Sequence, residues 1–291
     1  MLRLRHTLAT RVASLALGGL LAGCATTVPY TGVGPYPGLE RGKPIVLVDT
    51  LGNILALPWK LLFWNRKFNS YYISPETEQK LIEYLETTQD LPTLKDAKFR
   101  LNQYRPMDDI ARLIKNRHVA WPYRLLLGLP LTLILEVALP GRVFGAWVSG
   151  DHYNPFTNTV HLYSDHPAIA LHEAGHLNHT AHTKYKGTYA TGYMFIPGVN
   201  LYEEWQATKE ALRYFKQLPD HADELNAYKI LYPAYGSYVG NYIFRPIGPL
   251  VGILVGHVAG RAKAHLRENY YKELELRRGN RQEQPATMET K

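Results

Sequence analysis

The chain has 291 residues, a formal net charge of +8 and a single cysteine. One cysteine excludes an internal disulfide and speaks against thiolate-bound zinc. The basic excess is spread along the chain without an aromatic-basic recognition motif or a phosphate-cradling glycine loop, which argues against nucleic acid as a partner and suits contact with an anionic lipid surface.

In chain order, Arg3, Arg5 and Arg11 precede an apolar run over residues 12–21 that is too short to span a membrane. Leu21-Ala22-Gly23-Cys24 follows and resembles a bacterial lipobox. That resemblance implies removal of residues 1–23 as a signal peptide and lipidation of Cys24, with palmitate among the acyl groups. Ala25 rather than Asp follows the cysteine, which implies an outer-membrane lipoprotein facing the periplasm. The leader carries three arginines, so the remaining 268 residues have a net charge of +5. Their length suits one compact catalytic unit with N-terminal elaboration.

Residues 24–42, rich in Gly, Pro, Thr and Tyr, read as a tether. Residues 44–48 suggest a short strand. Residues 51–64 are apolar, carry Trp59 and Trp64, and are broken by Pro58; a core helix pair and a segment lying in a membrane interface fit them equally. Ser74-Pro75-Glu76 is a helix start, with a capping hydroxyl, proline in the first turn and then an acid, predicting a helix to about Thr87. Another helix is expected over residues 106–117. The apolar run over 125–139, interrupted by Pro130 and Glu136, reads as a buried helix. Residues 43–150 thus form a helical, apolar elaboration ahead of the catalytic part at 151–278.

Over residues 151–164, Asn154-Pro155 and Thr157-Asn158 supply turn chemistry, and Thr159, His161 and Tyr163 alternate with Val160 and Leu162 as in a half-buried strand. Residues 143–148 are its expected hairpin partner. Asp165 or His166 then caps a helix that Pro167 opens. That helix carries His172-Glu173-Ala174-Gly175-His176, an HExxH motif. Residues four apart share a helix face, so both imidazoles can point at one zinc ion, and Glu173 beside them can take a proton from water activated by it. Gly175 costs helix propensity but lets another backbone pack closely behind the motif.

A zinc hydrolase needs a third protein ligand. Residues 200–212 have helical spacing and offer Glu204, with Glu203 adjacent. The run from His172 through His179 to His182 offers His182 or His179 instead, in the outline of the metzincin motif HExxHxxGxxH. Metzincins have Gly where this chain has His179, and a His is strained in the left-handed turn that the Gly makes. With Glu204 as ligand, His179 and His182 are expected to follow the helix as polar residues. The HExxH motif together with Glu204-Trp205-Gln206-Ala207-Thr208 resembles the gluzincin family of CAAX prenyl proteases, HtpX-like heat-shock peptidases and their mitochondrial quality-control relatives, over residues 151–212. The resemblance implies His172, His176 and Glu204 as ligands of one zinc ion (Zn2+) per chain, Glu173 as general base, and an edge strand above the motif helix. Thr208 stands where that family has an Asp beside a ligand His, so it offers a hydrogen bond without charge.

Gly248, Gly252, Gly256 and Gly260 recur at every fourth residue and make one smooth helix face that permits close backbone packing. Residues 262–278 read as a charged helix, and 279–291 as a polar disordered tail. The expected fold is α+β: a mostly helical, zincin-like metallopeptidase with a small sheet edge beside the HExxH helix. The expected function is zinc-dependent cleavage of envelope proteins or peptides, held at the membrane by lipidated Cys24. Tyr189, Tyr193, Tyr202, His257 and Arg261 are candidates to stabilise an oxyanion by residue type. Two rival readings are a zinc hydrolase of cell-wall peptides and a non-catalytic envelope scaffold built on the glycine face and apolar segments.

Overall fold

The computed structural model describes residues 27–28, 38–88, 91–148, 150–243 and 245–282. The leader, Cys24, most of the expected tether and residues 283–291 lie outside the described residues. The class is α+β, mostly helical with one mixed sheet. The chain divides into two units, Met1–Ala211 and Leu212–Lys291.

The strands of the first unit are β1 (Thr27–Val28), β2 (Leu39–Gly42), β3 (Lys98–Leu101), β4 (His152–Asn154) and β5 (Thr159–Leu162). Their spatial order is β1-β2-β3-β5-β4. The two inner pairings, β2 with β3 and β3 with β5, are parallel, and both edges are antiparallel. Its helices are α1 (Val46–Leu55), α2 (Leu57–Leu62), α3 (Pro75–Glu86), α4 (Pro92–Lys95), α5 (Pro106–Lys115), α6 (Trp121–Ala138), α7 (Gly141–Phe144), α8 (Pro167–His182), α9 (Lys186–Phe195) and α10 (Pro197–Phe215).

Several expectations are corrected. Residues 39–42 are a sheet strand rather than tether, because Glu40 meets Lys98, Arg100 and Arg105, and Arg41 pairs with buried Glu78. The strand expected at 44–48 is the start of α1. Residues 143–148 do not pair with β5. Pro140 leads instead into α7, where a Cβ on Gly141 would overlap the Tyr163 ring, and β4 takes the hairpin position. Asn154 accepts from the Phe156 amide at 3.0 Å, and Asn158 turns the chain at a φ of 53°. β5 is buried at every position, not half-buried, since it has strand neighbours on both sides and packed faces. Arg112 of α5 reaches Thr159 Oγ1 at 3.1 Å, so Thr159 and His161 face α5. α8 packs against β4 and β5.

The apolar runs are more exposed than expected. α6 is 18 residues long and apolar enough to cross a membrane by length and composition, and it contains π-helical stretches at Arg124–Gly128 and Leu133–Ala138. It is not the buried helix expected. Gly128, Thr132 and Glu136 form a narrow buried stripe, while Leu125, Leu126, Leu133, Ile134 and Val137 remain exposed. Gly52 of α1 and the residues flanking α2, Ala56 and Phe63, are buried, but Val46 and Leu47 are 80% and 81% exposed. α3 begins as expected, with Ser74 Oγ accepting from the Thr77 amide. Asp165, just before α8, joins that cap by accepting from Ser74 N at 2.9 Å, Ser74 Oγ at 2.6 Å and Thr77 Oγ1 at 2.7 Å.

The second unit takes in the last turn of α10, from Leu212, and a helical hairpin of α11 (Ala222–Ile243) and α12 (Gly248–Gln282). The charged helix expected over 262–278 is the continuation of the glycine-rich one. A Cβ at Gly252 would overlap the Gly236 carbonyl, and one at Gly248 the Gly240 carbonyl, so here the two backbones touch. Further along, Glu224 accepts from Arg267 Nε at 2.9 Å and Tyr228 Oη at 3.1 Å.

Two expected outcomes follow. Burial raises the Asp165 pKa, but the hydrogen bonds from Ser74 and Thr77 outweigh it and hold the carboxyl below its ordinary value. Its stabilisation is therefore present at neutral pH and lost as pH falls through the depressed value. Asp165→Ala should cost about 2 kcal/mol at neutral pH, and the denaturant unfolding curves of variant and wild type should converge in acid. Gly252→Ala should cost about 3 kcal/mol or more, because the clash is with backbone, measured by the same unfolding curves.

Candidate metal centre

The centre is built by two helices that meet backbone to backbone. His166 caps α8, its Nδ1 accepting from the Ala168 amide at 3.2 Å, and Pro167 fills the first turn. At Gly175 a Cβ would lie only 3.1 Å from the Ala207 Cα and carbonyl oxygen of α10. This approach places one turn of α10, Glu204 to Thr208, opposite one turn of α8, His172 to His176.

His172 Nε2 lies 3.2 Å from Glu204 Oε2, His176 Nε2 lies 3.7 Å from Glu204 Oε1, and the two Nε2 atoms are 3.1 Å apart. His172, Glu173 and His176 also offer ligand atoms within 4.8 Å of one another. All four residues are buried. The outer nitrogens are engaged elsewhere. His172 Nδ1 meets Thr208 Oγ1 at 3.3 Å, and His176 Nδ1 meets Glu203 Oε1 at 3.3 Å. A carboxylate only accepts, so His176 Nδ1 carries its proton toward Glu203. With a proton on each Nδ1, both Nε2 lone pairs and the Glu204 carboxylate would converge as acceptors, a set that a cation would balance. The spacings fit zinc: donors about 2.0 Å from a tetrahedral ion lie about 3.3 Å from each other.

The surrounding groups hold this arrangement. Tyr193 Oη donates to Glu204 Oε1 at 2.7 Å. Tyr189 donates to Glu203 Oε2, which His179 Nδ1 also meets. Burial pushes the Glu173 carboxyl up to about 8, with Glu204 and Asp151 adding repulsion and His176 opposing. Burial also lowers His172 against the pull of Glu204. His176 is raised well above its ordinary value, because Glu204 and Glu203 outweigh its burial. Glu204 is held low by His176 and His172 despite its burial. A carboxyl that exchanges its proton near neutrality suits acid–base work.

The sequence-derived candidates separate clearly. His172, Glu173, His176, Glu204 and Thr208 come together. Glu203 sits behind His176 rather than beside Glu204 at the centre. α8 runs unbroken through His179 and His182, so neither follows the helix as expected, and no turn brings His182 inward. His182 is exposed, its Nδ1 donating to the Asn178 carbonyl at 2.8 Å. Among the oxyanion candidates, Tyr193 and Tyr189 are committed to the two glutamates, and Tyr202 accepts from Gln206 Nε2 at 2.6 Å. His257 and Arg261 lie in the second unit, bonded to each other at 2.5 Å. Sequence reasoning missed the Glu203–His176 pairing; helix facing alone cannot reveal it, because Glu203 and Glu204 are neighbours. β4 is the sheet edge, and among the described residues no strand pairs with its outer side. Compared with known proteins, the chain matches no family model, no curated protein and no solved structure.

Glu203→Gln should weaken zinc binding about 10- to 100-fold through the lost charge behind His176, whereas His182→Ala should leave it unchanged. Competition with a chromophoric chelator measures both.

Proposed function

We propose that the chain is a zinc-dependent endopeptidase of gluzincin type. The observation that carries this reading is the convergence of His172, His176 and Glu204, with Glu173 in the same buried cluster. Zinc bound there supplies Lewis acidity, which makes a water nucleophilic at neutral pH and polarises a carbonyl. Glu173 accepts the proton of the attacking water and returns it to the leaving amine, a role its raised pKa supports. Thr208 and Glu203 orient the two imidazoles, and Tyr193 fixes the Glu204 carboxylate. The open side of β4 offers main-chain groups to an extended peptide.

The lipobox reading of Cys24 and the exposed apolar faces of α1, α2 and α6 support an envelope lipoprotein lying against the outer membrane, acting on periplasmic proteins or peptides. The scaffold reading draws on one specific observation, the run of exposed Leu250, Val251, Leu254, Val255 and Val258 on the glycine-packed hairpin. One pair of variants separates the two readings. Glu173→Gln should lower hydrolysis of an unfolded protein substrate at least about 100-fold while the zinc content, read by mass spectrometry, stays at the wild-type level. Glu204→Ala should lose one zinc equivalent and the activity together. Undiminished hydrolysis by Glu173→Gln would overturn the mechanism, and a wild type that is inactive when loaded with zinc would favour the scaffold.

A further inference from the structure

A second group of ligand-type side chains, buried except for half-buried His152, shares no residue with the first. His152 on β4 and His161 on β5 are direct cross-strand partners, and their rings stack with centroids 4.8 Å apart and planes 9° from parallel. The hairpin register therefore presents two imidazoles side by side. Glu136, in the second π-helical stretch of α6, points one oxygen at both: Oε1 lies 3.3 Å from His152 Nε2 and 3.5 Å from His161 Nε2. Asp109 of α5 approaches from a third side, its Oδ1 4.0 Å from His161 Nε2.

Arg100 on β3 clamps this assembly from behind. Its guanidinium donates to Asp109 Oδ2 at 2.9 Å and to Asp108 Oδ2 at 2.5 Å, which leaves Asp109 Oδ1 aimed inward. Glu136, Asp109 and His161 are each at most 1% exposed. Yet Glu136 Oε1, Asp109 Oδ1 and both ring nitrogens of His161 make no hydrogen bond within the protein. A buried polar atom without a hydrogen bond costs about 1–3 kcal/mol, and here four lie together with only ion-pair contacts of 3.3 to 4.0 Å among these side chains. One ligand atom from each of Glu136, His152 and His161 lies within 4.8 Å of the others, close enough to share a cation.

We propose that Glu136, His152 and His161, with Asp109 in reserve as a fourth ligand, form a second divalent cation site. Two imidazole nitrogens and carboxylate oxygen suit zinc. The 3.3 and 3.5 Å spacings match the edge of a tetrahedral zinc site, about 3.3 Å. The ion ties α6 and the β4–β5 hairpin together, with α5 behind them, and its role is structural. The expected content rises from one zinc per chain to two.

The test uses the full chain, stripped of metal by chelation, reloaded with zinc chloride and analysed by mass spectrometry. Wild type should hold two zinc ions. His161→Ala and Glu136→Gln should each hold one, His172→Ala should hold the other one, and His161→Ala with His172→Ala should hold none. Zinc should raise the Tm of His172→Ala by about 5 °C, because only the second site then links metal to folding. Should the His161 and Glu136 variants not fold, zinc-edge anomalous scattering from wild-type crystals decides: two peaks support the site and one overturns it. A wild type holding a single zinc that His161→Ala keeps, or a His172→Ala chain whose Tm ignores zinc, also overturns it. Loss of the first centre alone leaves the second intact, so the two proposals fail separately.

Discussion

The contact between Gly175 and Ala207 sets the geometry of the first centre. Because position 175 lacks a side chain, α8 and α10 approach a few tenths of an ångström closer than a Cβ would ordinarily allow, and Glu204 lies against both imidazoles. The same approach buries the centre, and burial disfavours the charged forms of the groups inside unless they stand in each other's company. Burial alone would raise Glu204 and lower His176, but each moves the other way, since its partner outweighs the desolvation. Glu173 lacks such a partner and rises. Two carboxyl groups in one cluster thus acquire opposite tendencies from their surroundings, one shifted down and one shifted up.

The second unit relies on the same principle of side-chain omission for a different end. Gly236 and Gly240 meet Gly252 and Gly248 across the hairpin, and the space that side chains would fill is given to backbone contact. Beside that seam Ile253 of α12 is buried, while Leu250, Val251, Leu254, Val255 and Val258 are turned outward. In α6 only Gly128, Thr132 and Glu136 are fully buried; Leu127, Leu129 and Leu131 pack partly against the core, while Leu125, Leu126 and Leu133 lie at the surface.

Local chemistry was legible in the sequence wherever it acts over a few residues. The caps at Ser74 and His166, the proline starts, the HExxH face, the role of Gly175 and the pairing of Thr208 with His172 all follow from spacing along one helix or from a resemblance covering two. Features set by distant parts of the chain were not. β2 hides in a glycine- and proline-rich stretch because its cross-strand partners lie about sixty residues later, at Phe99 to Leu101. Residues 143–148 have strand composition, but Pro140 and the Tyr163 ring favour a turn of helix. Glu136 reads as an interruption in an apolar run, and only the fold reveals that it faces His152 and His161. His179 and His182 remain helical because no glycine releases the chain there.

β4 has one further consequence. A short open edge made of main-chain amides and carbonyls distinguishes conformation more readily than it distinguishes side chains. A well-folded neighbour keeps its own backbone groups satisfied and has nothing to offer such an edge, whereas a frayed or misfolded segment does. For the proposed peptidase, selectivity of this kind would reside in the condition of the substrate and not in its sequence, so that one narrow surface could serve many different chains.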